Sequence, residues 1–254
     1  GKRHPLAGSV LWHFNWGMAG KVYLVGAGPG APGLITLRGV ECLARADVVL
    51  YDYLVNPRIL QHAPEQAERI CLGQHGRTRL WSQCEIDAAM VASAKAGKTV
   101  VRLKGGDPAV FARGADEVEV LVRHGIAFEV VPGITAALAA GSYVGVPITH
   151  REHASAVAIV TGQESEGKSG LTLDYGQLAQ FPGTLVVYMG VTTAPQWTDA
   201  LLRAGMRADT PALIVRRCSF PDQTTVRCTL GEVTSHLVPA TRYRPPVIVI
   251  IGRV

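Results

Sequence analysis

Short apolar runs alternate with stretches of helical periodicity through the first half of the chain. Residues 22–25 form an apolar run closed by glycines, which is typical of a buried strand. Apolar residues then recur at helical spacing over residues 34–44, and further strands are predicted over residues 47–51, 99–103 and 128–131. Because strands alternate with helices, the pattern predicts right-handed βαβ crossovers and a largely parallel sheet.

Two helices in this half carry recognisable ends. Ser82 and Glu85 form a capping box that opens a helix, and Gly97 fits the position after its last turn. Residues 115–124 predict a second helix, which Gly125 stops.

The dipeptide Pro132-Gly133 interrupts this series and marks the predicted domain boundary. We divide the chain into an N-terminal extension (1–20), a first α/β domain (21–132) and a second α/β domain (133–254). The second half begins with a helix and carries several short strands close together, which indicates a mixed α/β domain. Its predicted elements are strands over residues 156–161, 184–188, 212–215, 224–227 and 247–251, a helix over 195–204, and a mobile polar loop over 163–170.

Composition narrows the classes of partner. The chain carries 25 Lys and Arg against 20 Asp and Glu, and this net charge of +5 fits either ordinary surface solubility or an anionic substrate. There is no Lys/Arg-rich run and no ladder of aromatic residues beside basic ones, so no nucleic-acid partner is predicted. No stretch approaches the ~20 uninterrupted apolar residues of a membrane span, so no membrane partner is predicted.

The cysteines and histidines add two expectations. Five cysteines are scattered without a Cys-x-x-Cys pair, which predicts reduced thiols and a cytoplasmic protein. His150 and His153 have a loose His-x-x-His spacing, but a metal site needs further ligands, so no metal is predicted. The first 17 residues begin without Met and lack the apolar core of a signal peptide, and we expect an upstream extension there.

The first glycine-rich loop admits two interpretations. Residues 28–33 (Gly-Pro-Gly-Ala-Pro-Gly) satisfy the pattern G-x-G-x-x-G, which in dinucleotide-binding folds places a pyrophosphate at a helix N-terminus. Pro29 and Pro32 remove two backbone N–H donors that such a cradle would use. Asp52 stands at about the distance of the acidic residue in that fingerprint, so a nicotinamide-dependent oxidoreductase is the alternative at this point.

The second glycine-rich loop, residues 103–108, follows a predicted strand. Ligands bind at the carboxyl ends of strands in an open parallel sheet, and two glycines let a ligand approach the backbone closely. Asp107 supplies an anion there, which suits the ammonium and sulfonium of S-adenosylmethionine and would repel a phosphate; a simple turn is the alternative. Cations that could pair with substrate carboxylates lie near two strand ends. They are Arg102, Lys104, Arg113 and Arg151.

Together these segments match a known family. The chain resembles the tetrapyrrole (corrin/porphyrin) methylases, and RLKGGDP (102–108) followed by VVPGITA (130–136) points to the branch that acts on uroporphyrinogen III. The resemblance covers Lys21 to Val254. Its other matching segments are residues 22–30, 46–52, 111–114, 142–151, 160–162, 187–190 and 246–252.

The resemblance implies an architecture and a cofactor. It implies two α/β domains, the first with a mostly parallel sheet and helices and the second mixed, with the active site in the cleft between them, in a homodimer. S-adenosylmethionine would bind there in a folded shape. Implied cofactor contacts are Pro29, Gly105, Gly106, Asp107, Val110, Phe111, Thr135, Ala136, Met189, Leu213 and Val247. Implied tetrapyrrole contacts are Asp52, Arg113, Asp116, Arg151 and Met189.

The implied reaction is methylation of uroporphyrinogen III at C2 and C7, giving precorrin-1 and then precorrin-2, with S-adenosylhomocysteine as the second product. The nucleophile is a pyrrole carbon, so the protein needs no nucleophilic Ser or Cys and has to align the reacting atoms. We expect Arg113 to bind and orient the substrate, because a guanidinium is very hard to deprotonate. Asp52, Asp116 and water are the alternatives for the proton acceptor.

The chain departs from the family pattern at a few positions, and other functions stay open. The departures are Ala31, Tyr53, Gln74, Ala112 and Asp116, which bear on the grip on the substrate. A precorrin-2 or precorrin-4 methylase and a non-catalytic tetrapyrrole-binding protein are alternatives. The sequence leaves open whether the product feeds sirohaem, cobalamin or haem d1.

Overall fold

A computed structural model describes residues 20–73, 80–164, 172–238 and 244–253. Nearly all of the predicted extension, most of the predicted loop at 163–170, and Gln74 lie outside these ranges. The described residues form two five-stranded sheets with helices on both faces of each. Within these ranges no helix is both long and apolar enough to cross a membrane.

The first sheet is entirely parallel, as the alternating pattern predicts. Its strand order is β3-β2-β4-β1-β5. The strands are β1 (Lys21–Gly26), β2 (Val48–Tyr51), β3 (Glu68–Cys71), β4 (Val100–Lys104) and β5 (Ala127–Val131). The sequence analysis missed β3, an edge strand whose first two residues are exposed charges, so it carries no buried apolar run.

The helices of this half are α1 (Leu37–Leu43), α2 (Gln83–Lys95) and α3 (Gly114–Arg123). One sheet face packs against α1 and a 3-10 helix at Pro57–His62, and the other packs against α2 and α3. The Ser82–Glu85 capping box of α2 is confirmed.

The helix predicted over residues 34–44 begins later than expected. A 3-10 turn at Pro32–Leu34 comes first, and Thr36 then caps α1 by accepting a hydrogen bond from the Gly39 amide at 3.0 Å.

The second sheet is mixed, as predicted. Its strand order is β6-β7-β10-β8-β9, with β6 and β7 parallel and the other pairs antiparallel. The strands are β6 (Val157–Thr161), β7 (Thr184–Tyr188), β8 (Pro211–Arg216), β9 (Thr224–Thr229) and β10 (Val247–Ile251). The helices are α4 (Ala136–Val144), α5 (Tyr175–Ala179), α6 (Ala194–Arg203) and α7 (Leu230–Leu237). The short helices α5 and α7 were not predicted.

Helix α4 packs on the second sheet, although it follows directly from the last strand of the first. Ala137 and Ala140 lie in one core cluster with Val186 and Ile250, while α6 and α7 cover the opposite face. This placement is consistent with a domain boundary between residues 132 and 133, which stays a prediction.

Candidate functional site

The two glycine-rich loops lie side by side because β1 and β4 are neighbouring parallel strands. Gly28 and Gly106 exchange backbone hydrogen bonds, with N···O distances of 3.1 and 2.8 Å. The Ala31 amide donates to Ser219 Oγ at 2.9 Å, and Pro29 and Pro32 have no N–H. Four positions of the first loop therefore offer no free amide, which argues against a dinucleotide phosphate cradle.

Asp107 ties the second loop to the loop after β5. Its Oδ1 accepts the Ala109 amide at 2.7 Å and its Oδ2 accepts the Gly133 amide at 2.9 Å. Gly133 lies so close to the other loops that a Cβ there would be 2.1 Å from the Gly106 carbonyl oxygen. The Asp107 carboxylate thus organises the protein's own backbone, and its direct contact with a ligand cation stays a prediction.

Tyr188, at the end of β7, joins this cluster to the second sheet. Its hydroxyl accepts the Ala137 amide at 2.7 Å and shares a short hydrogen bond with Thr135 Oγ1. Burial raises the pKa of Tyr188 above its usual value, so the phenol stays protonated. Its ring lies 5.3 Å from that of Phe111, tilted by 52°. The sequence analysis did not single out Tyr188; the signal available was a phenol closing an apolar strand.

Phe111 and Met189 present apolar surface beside Tyr188. They are 43% and 47% exposed, and both have left-handed backbones, with φ of 50° and 53°. Arg113 shares this conformation, with φ of 55°. Non-glycine residues pay for that conformation, and such strain concentrates at functional sites. The side chains of Phe111 and Met189 form the exposed apolar rim of the candidate site.

The backbone of the second loop is open to a ligand. A Cβ on Gly105 would meet only Leu54, at 3.4 Å, and one on Gly106 would meet only Thr135, at 3.9 Å. Exposed backbone next to an apolar rim fits a cofactor that combines an apolar ring with polar groups, such as S-adenosylmethionine.

The other implied cofactor residues are distributed less evenly. Pro29 and Val110 lie in the two glycine-rich loops, and Ala136 begins α4. Leu213 and Val247 are almost fully buried in different core clusters on opposite faces of the second sheet. Their side chains do not share one pocket, and their place in the cofactor site stays a prediction.

Two of the four cations predicted near the strand ends bind the protein itself. Arg102 Nε lies 3.0 Å from Glu117 Oε1 and its Nη2 lies 2.6 Å from Asp52 Oδ1. Lys104 Nζ lies 2.8 Å from both Glu117 oxygens. Burial, and then the positive charge of Arg102, lowers the pKa of Lys104. Arg102 and Lys104, two of the four cations that could have paired with substrate carboxylates, thus pair with Asp52 and with Glu117, a residue that the sequence analysis did not name.

Arg113 and Arg151 are the other two of these four cations, and their contact with an anionic substrate stays a prediction. Arg113 precedes α3 and pairs with Asp116 through an Nε–Oδ2 distance of 2.9 Å, with both side chains more than half exposed. Arg151 lies in a separate exposed turn closed by hydrogen bonds between His150 and Ala154.

The same turn groups three possible metal ligands. The ligand atoms of His150, Glu152 and His153 lie within 4.8 Å of one another, and all three residues are exposed. The sequence analysis named only the histidines, and Glu152 is the third member. The amide of Glu152 donates to His150 Nδ1 at 3.2 Å, which occupies one of the ring nitrogens.

Comparison with known proteins places this geometry in context. The sequence model of one protein family, the Tetrapyrrole (Corrin/Porphyrin) Methylases, matches residues 21–234 of this chain. The S-adenosyl-L-methionine-dependent uroporphyrinogen III methyltransferase of Methanosarcina barkeri is 44% identical over 238 residues, which are 94% of this chain and 93% of that protein. A siroheme synthase of Hydrogenovibrio crunogenus is 43% identical over 92% of this chain but only 49% of its own length, so the chain spans about half of that relative.

A solved structure agrees with the architecture. The uroporphyrin-III C-methyl transferase of Thermus thermophilus, complexed with S-adenyl homocysteine, matches with a TM-score of 0.78 and 43% identity over 92% of this chain and 98% of that one.

Proposed function

Because the chain belongs to the tetrapyrrole (corrin/porphyrin) methylase family, we propose that it methylates uroporphyrinogen III at C2 and C7, giving precorrin-1 and then precorrin-2. The observation that carries this proposal is the meeting of three strand-end loops of the first sheet with Tyr188 of the second. They place an open Gly-Gly backbone beside the exposed side chains of Phe111 and Met189.

The cofactor, S-adenosylmethionine, supplies a methyl group on a positively charged sulfur. Gly105 and Gly106 admit it to the backbone, and Asp107 keeps their loop against Gly133. Phe111 and Met189 would cover the cofactor with apolar and polarisable groups and exclude water, and an aromatic face favours a neighbouring cation. These residues act by binding and aligning the reactants, since the pyrrole carbon is itself the nucleophile.

The exposed arginines take the substrate side. Uroporphyrinogen III carries eight carboxylates, and Arg113 and Arg151 bind carboxylates at the cleft. Asp116 orients Arg113 through their ion pair. Arg113 stays charged and orients the macrocycle, so Arg113→Lys weakens substrate affinity more than it lowers the turnover number.

The finer features of this assignment are also proposals. The two domains meet at residues 132 and 133 and enclose the cleft. The protein works as a homodimer, to which the exposed Leu138 and Tyr143 of α4 contribute apolar surface. It works in the cytoplasm, in keeping with five cysteines that are all free.

The test separates cofactor from substrate. S-adenosylmethionine and NADH are titrated separately by calorimetry, and uroporphyrinogen III is then added without oxygen to the complex. The proposal expects S-adenosylmethionine binding and mass gains of one and two methyl groups on the tetrapyrrole. Binding of NADH alone would refute it, and cofactor binding without methyl transfer would move the substrate to another tetrapyrrole.

A further inference from the structure

Four charged side chains run in a line from the core of the first sheet to the edge of the cleft. Lys104 and Glu117 are at most 2% exposed, Arg102 is 3% exposed and Asp52 is 31% exposed. Positive and negative groups alternate along this line, and every neighbouring pair is within 3.0 Å. We call these four residues the ion-pair chain, and the inference drawn from it rests on the proposed function.

Asp52, the outer end of the ion-pair chain, belongs to the candidate site. Asp52 follows β2, the strand next to β4, and its amide donates to the Leu103 carbonyl. Within the same segment, the Leu54 Cβ lies 3.4 Å from where a Cβ on Gly105 would be, and Asn56 Nδ2 donates to the Gly30 carbonyl at 2.7 Å. The segment that carries Asp52 is therefore hydrogen-bonded to both glycine-rich loops, through the Asp52 amide and the Asn56 side chain.

The inner members are buried by the geometry of β4. Residues two apart on a strand share a face, so Val100, Arg102 and Lys104 all point toward α2 and α3. Glu117 reaches them from α3. Burying charges carries a desolvation cost for each ion even when they are paired, and an apolar cluster of this volume would serve stability as well. Stability alone is thus a weak reason for these residues.

The Arg102 guanidinium is fixed in orientation. Its Nε donates to Glu117, its Nη1 donates to the Leu103 carbonyl at 3.3 Å, and its Nη2 pairs with Asp52. Because Glu117 and the Leu103 carbonyl fix the planar guanidinium, they also fix the position of the Nη2 that binds Asp52 Oδ1. The direction of Asp52 at the cleft is therefore decided inside the protein.

The Asp52 carboxylate also completes the formal charge balance of these four residues. Arg102 and Lys104 carry two positive charges against the single negative charge of Glu117, so the three buried members alone have a net positive charge. Asp52 is the anion that neutralises it. Tyr53 is a titratable neighbour at this end, and its pKa is raised by burial and by the charge of Asp52. Gln83 of α2 also lies near Glu117 and is neutral.

We propose that Arg102 and Glu117 are positioning residues that hold the Asp52 carboxylate as a hydrogen-bond acceptor for the pyrrole N–H groups of the substrate. A porphyrinogen carries N–H donors at its centre and carboxylates at its rim, and a carboxylate is attracted only by the centre. As the new carbon–carbon bond forms, the pair of the broken carbon–sulfur bond stays on sulfur. Gaining the methyl group leaves a positive charge on the macrocycle. The methylated macrocycle then loses one proton, which goes to water and not to Asp52.

A double-mutant cycle tests this. Arg102→Lys keeps the charge but loses the fork, and Asp52→Asn removes the anion. We expect each to lower kcat/KM for uroporphyrinogen III by about tenfold or more, mainly through KM, and the double variant to be no worse than Asp52→Asn. Arg38→Lys is the matched control, since Arg38 also bridges two carboxylates, Glu41 and Glu129, on the surface. It should leave kcat/KM unchanged.

Further readouts exclude a merely structural role. Affinity for S-adenosylhomocysteine should stay within about twofold in both variants, and the pH profile of kcat should keep its shape in Asp52→Asn. The proposal is overturned if Arg102→Lys has normal kinetics, if the two effects multiply, or if Asp52→Asn removes a limb of the pH profile. If Arg102→Lys does not fold, Glu117→Asp replaces it in the cycle, since it also keeps the charge.

Failure of the proposed function would be distinguishable. A parent protein that binds S-adenosylhomocysteine but does not methylate uroporphyrinogen III would refute the proposed reaction. The role of the ion-pair chain is then tested by titrating uroporphyrin III into the protein, with binding measured as quenching of the porphyrin fluorescence. Equal affinity of the parent and Arg102→Lys would overturn the positioning role, and a coupled loss with Asp52→Asn would support it.

Discussion

The carboxylate of Asp107 accepts the backbone N–H of Gly133 at 2.9 Å, across the gap between the loops after β4 and β5. Its other oxygen accepts the Ala109 amide within its own turn. One side chain thereby fixes two of the loops that form the candidate site. A carboxylate is well suited to this, because hydrogen bonds to an ionised acceptor are roughly twice as strong as neutral ones.

Asp107→Ala should loosen both loops. Loss of two charge-assisted hydrogen bonds should lower the free energy of unfolding by about 1.5–3 kcal/mol and weaken S-adenosylhomocysteine binding by about tenfold. Urea denaturation and calorimetry measure these. Asp87→Ala is the control, since Asp87 accepts a hydrogen bond from Gln83 within α2, away from the glycine-rich loops. An Asp107→Ala protein with unchanged affinity would show that the loops are ordered without this carboxylate.

Gly133→Ala should damage the site by steric overlap. The added Cβ would lie 2.1 Å from the Gly106 carbonyl oxygen and 2.7 Å from the Gly26 Cα, and neither backbone can yield easily. We expect a loss of about 2 kcal/mol or more of unfolding free energy, as for an overpacked core. Gly33→Ala is the comparison, because a Cβ there meets no atom within 4 Å, and it should be neutral. Equal thermal unfolding of the two variants would contradict this.

Tyr188→Phe should uncouple α4 from the second sheet without removing the ring. The variant loses the hydroxyl that binds Thr135 and the Ala137 amide but keeps the ring contact with Phe111. An unsatisfied buried amide costs about 1–3 kcal/mol of unfolding free energy, and we expect S-adenosylhomocysteine affinity to fall about fivefold. Tyr175→Phe in α5 should leave that affinity unchanged. Parent-like affinity in Tyr188→Phe would remove the phenol from the site.

Glu129 should make stability depend on acid pH. Hydrogen bonds from Arg38 and then Lys21 lower its pKa from 4.5 to about 2 in the folded protein. A depressed carboxyl pKa gives stability that is present above the unfolded pKa and is lost as the pH falls from about 4.5 toward 2. Since these groups are partly exposed, Glu129→Gln should cost only about 1 kcal/mol at pH 7. The difference from the parent should vanish near pH 2 in urea titrations, and a constant difference would refute it.

Sequence reasoning reached the fold because the relevant patterns are local. The apolar run of β1 and the capping box at Ser82 reflect the preferences of neighbouring residues, and they predicted a parallel sheet that the structure contains. Prediction from the sequence failed where contacts with residues outside a segment determine the structure of that segment. Edge strand β3 has no buried run of its own, and the start of α1 was decided by the Thr36 cap.

The glycine-rich loops, the Asp107 position and the family were readable in the residues themselves, since small residues and a carboxylate after a strand are unusual enough to be noticed. The contacts of those residues were not. Arg102 and Lys104 looked like substrate cations until Glu117, 15 and 13 positions further along the chain, proved to bind them. Tyr188 meets Thr135 across 53 positions of sequence. One residue's charge and size are written in the sequence, but whether that charge faces a ligand or a buried counter-ion depends on which distant segments pack against it, and only the tertiary structure decided that.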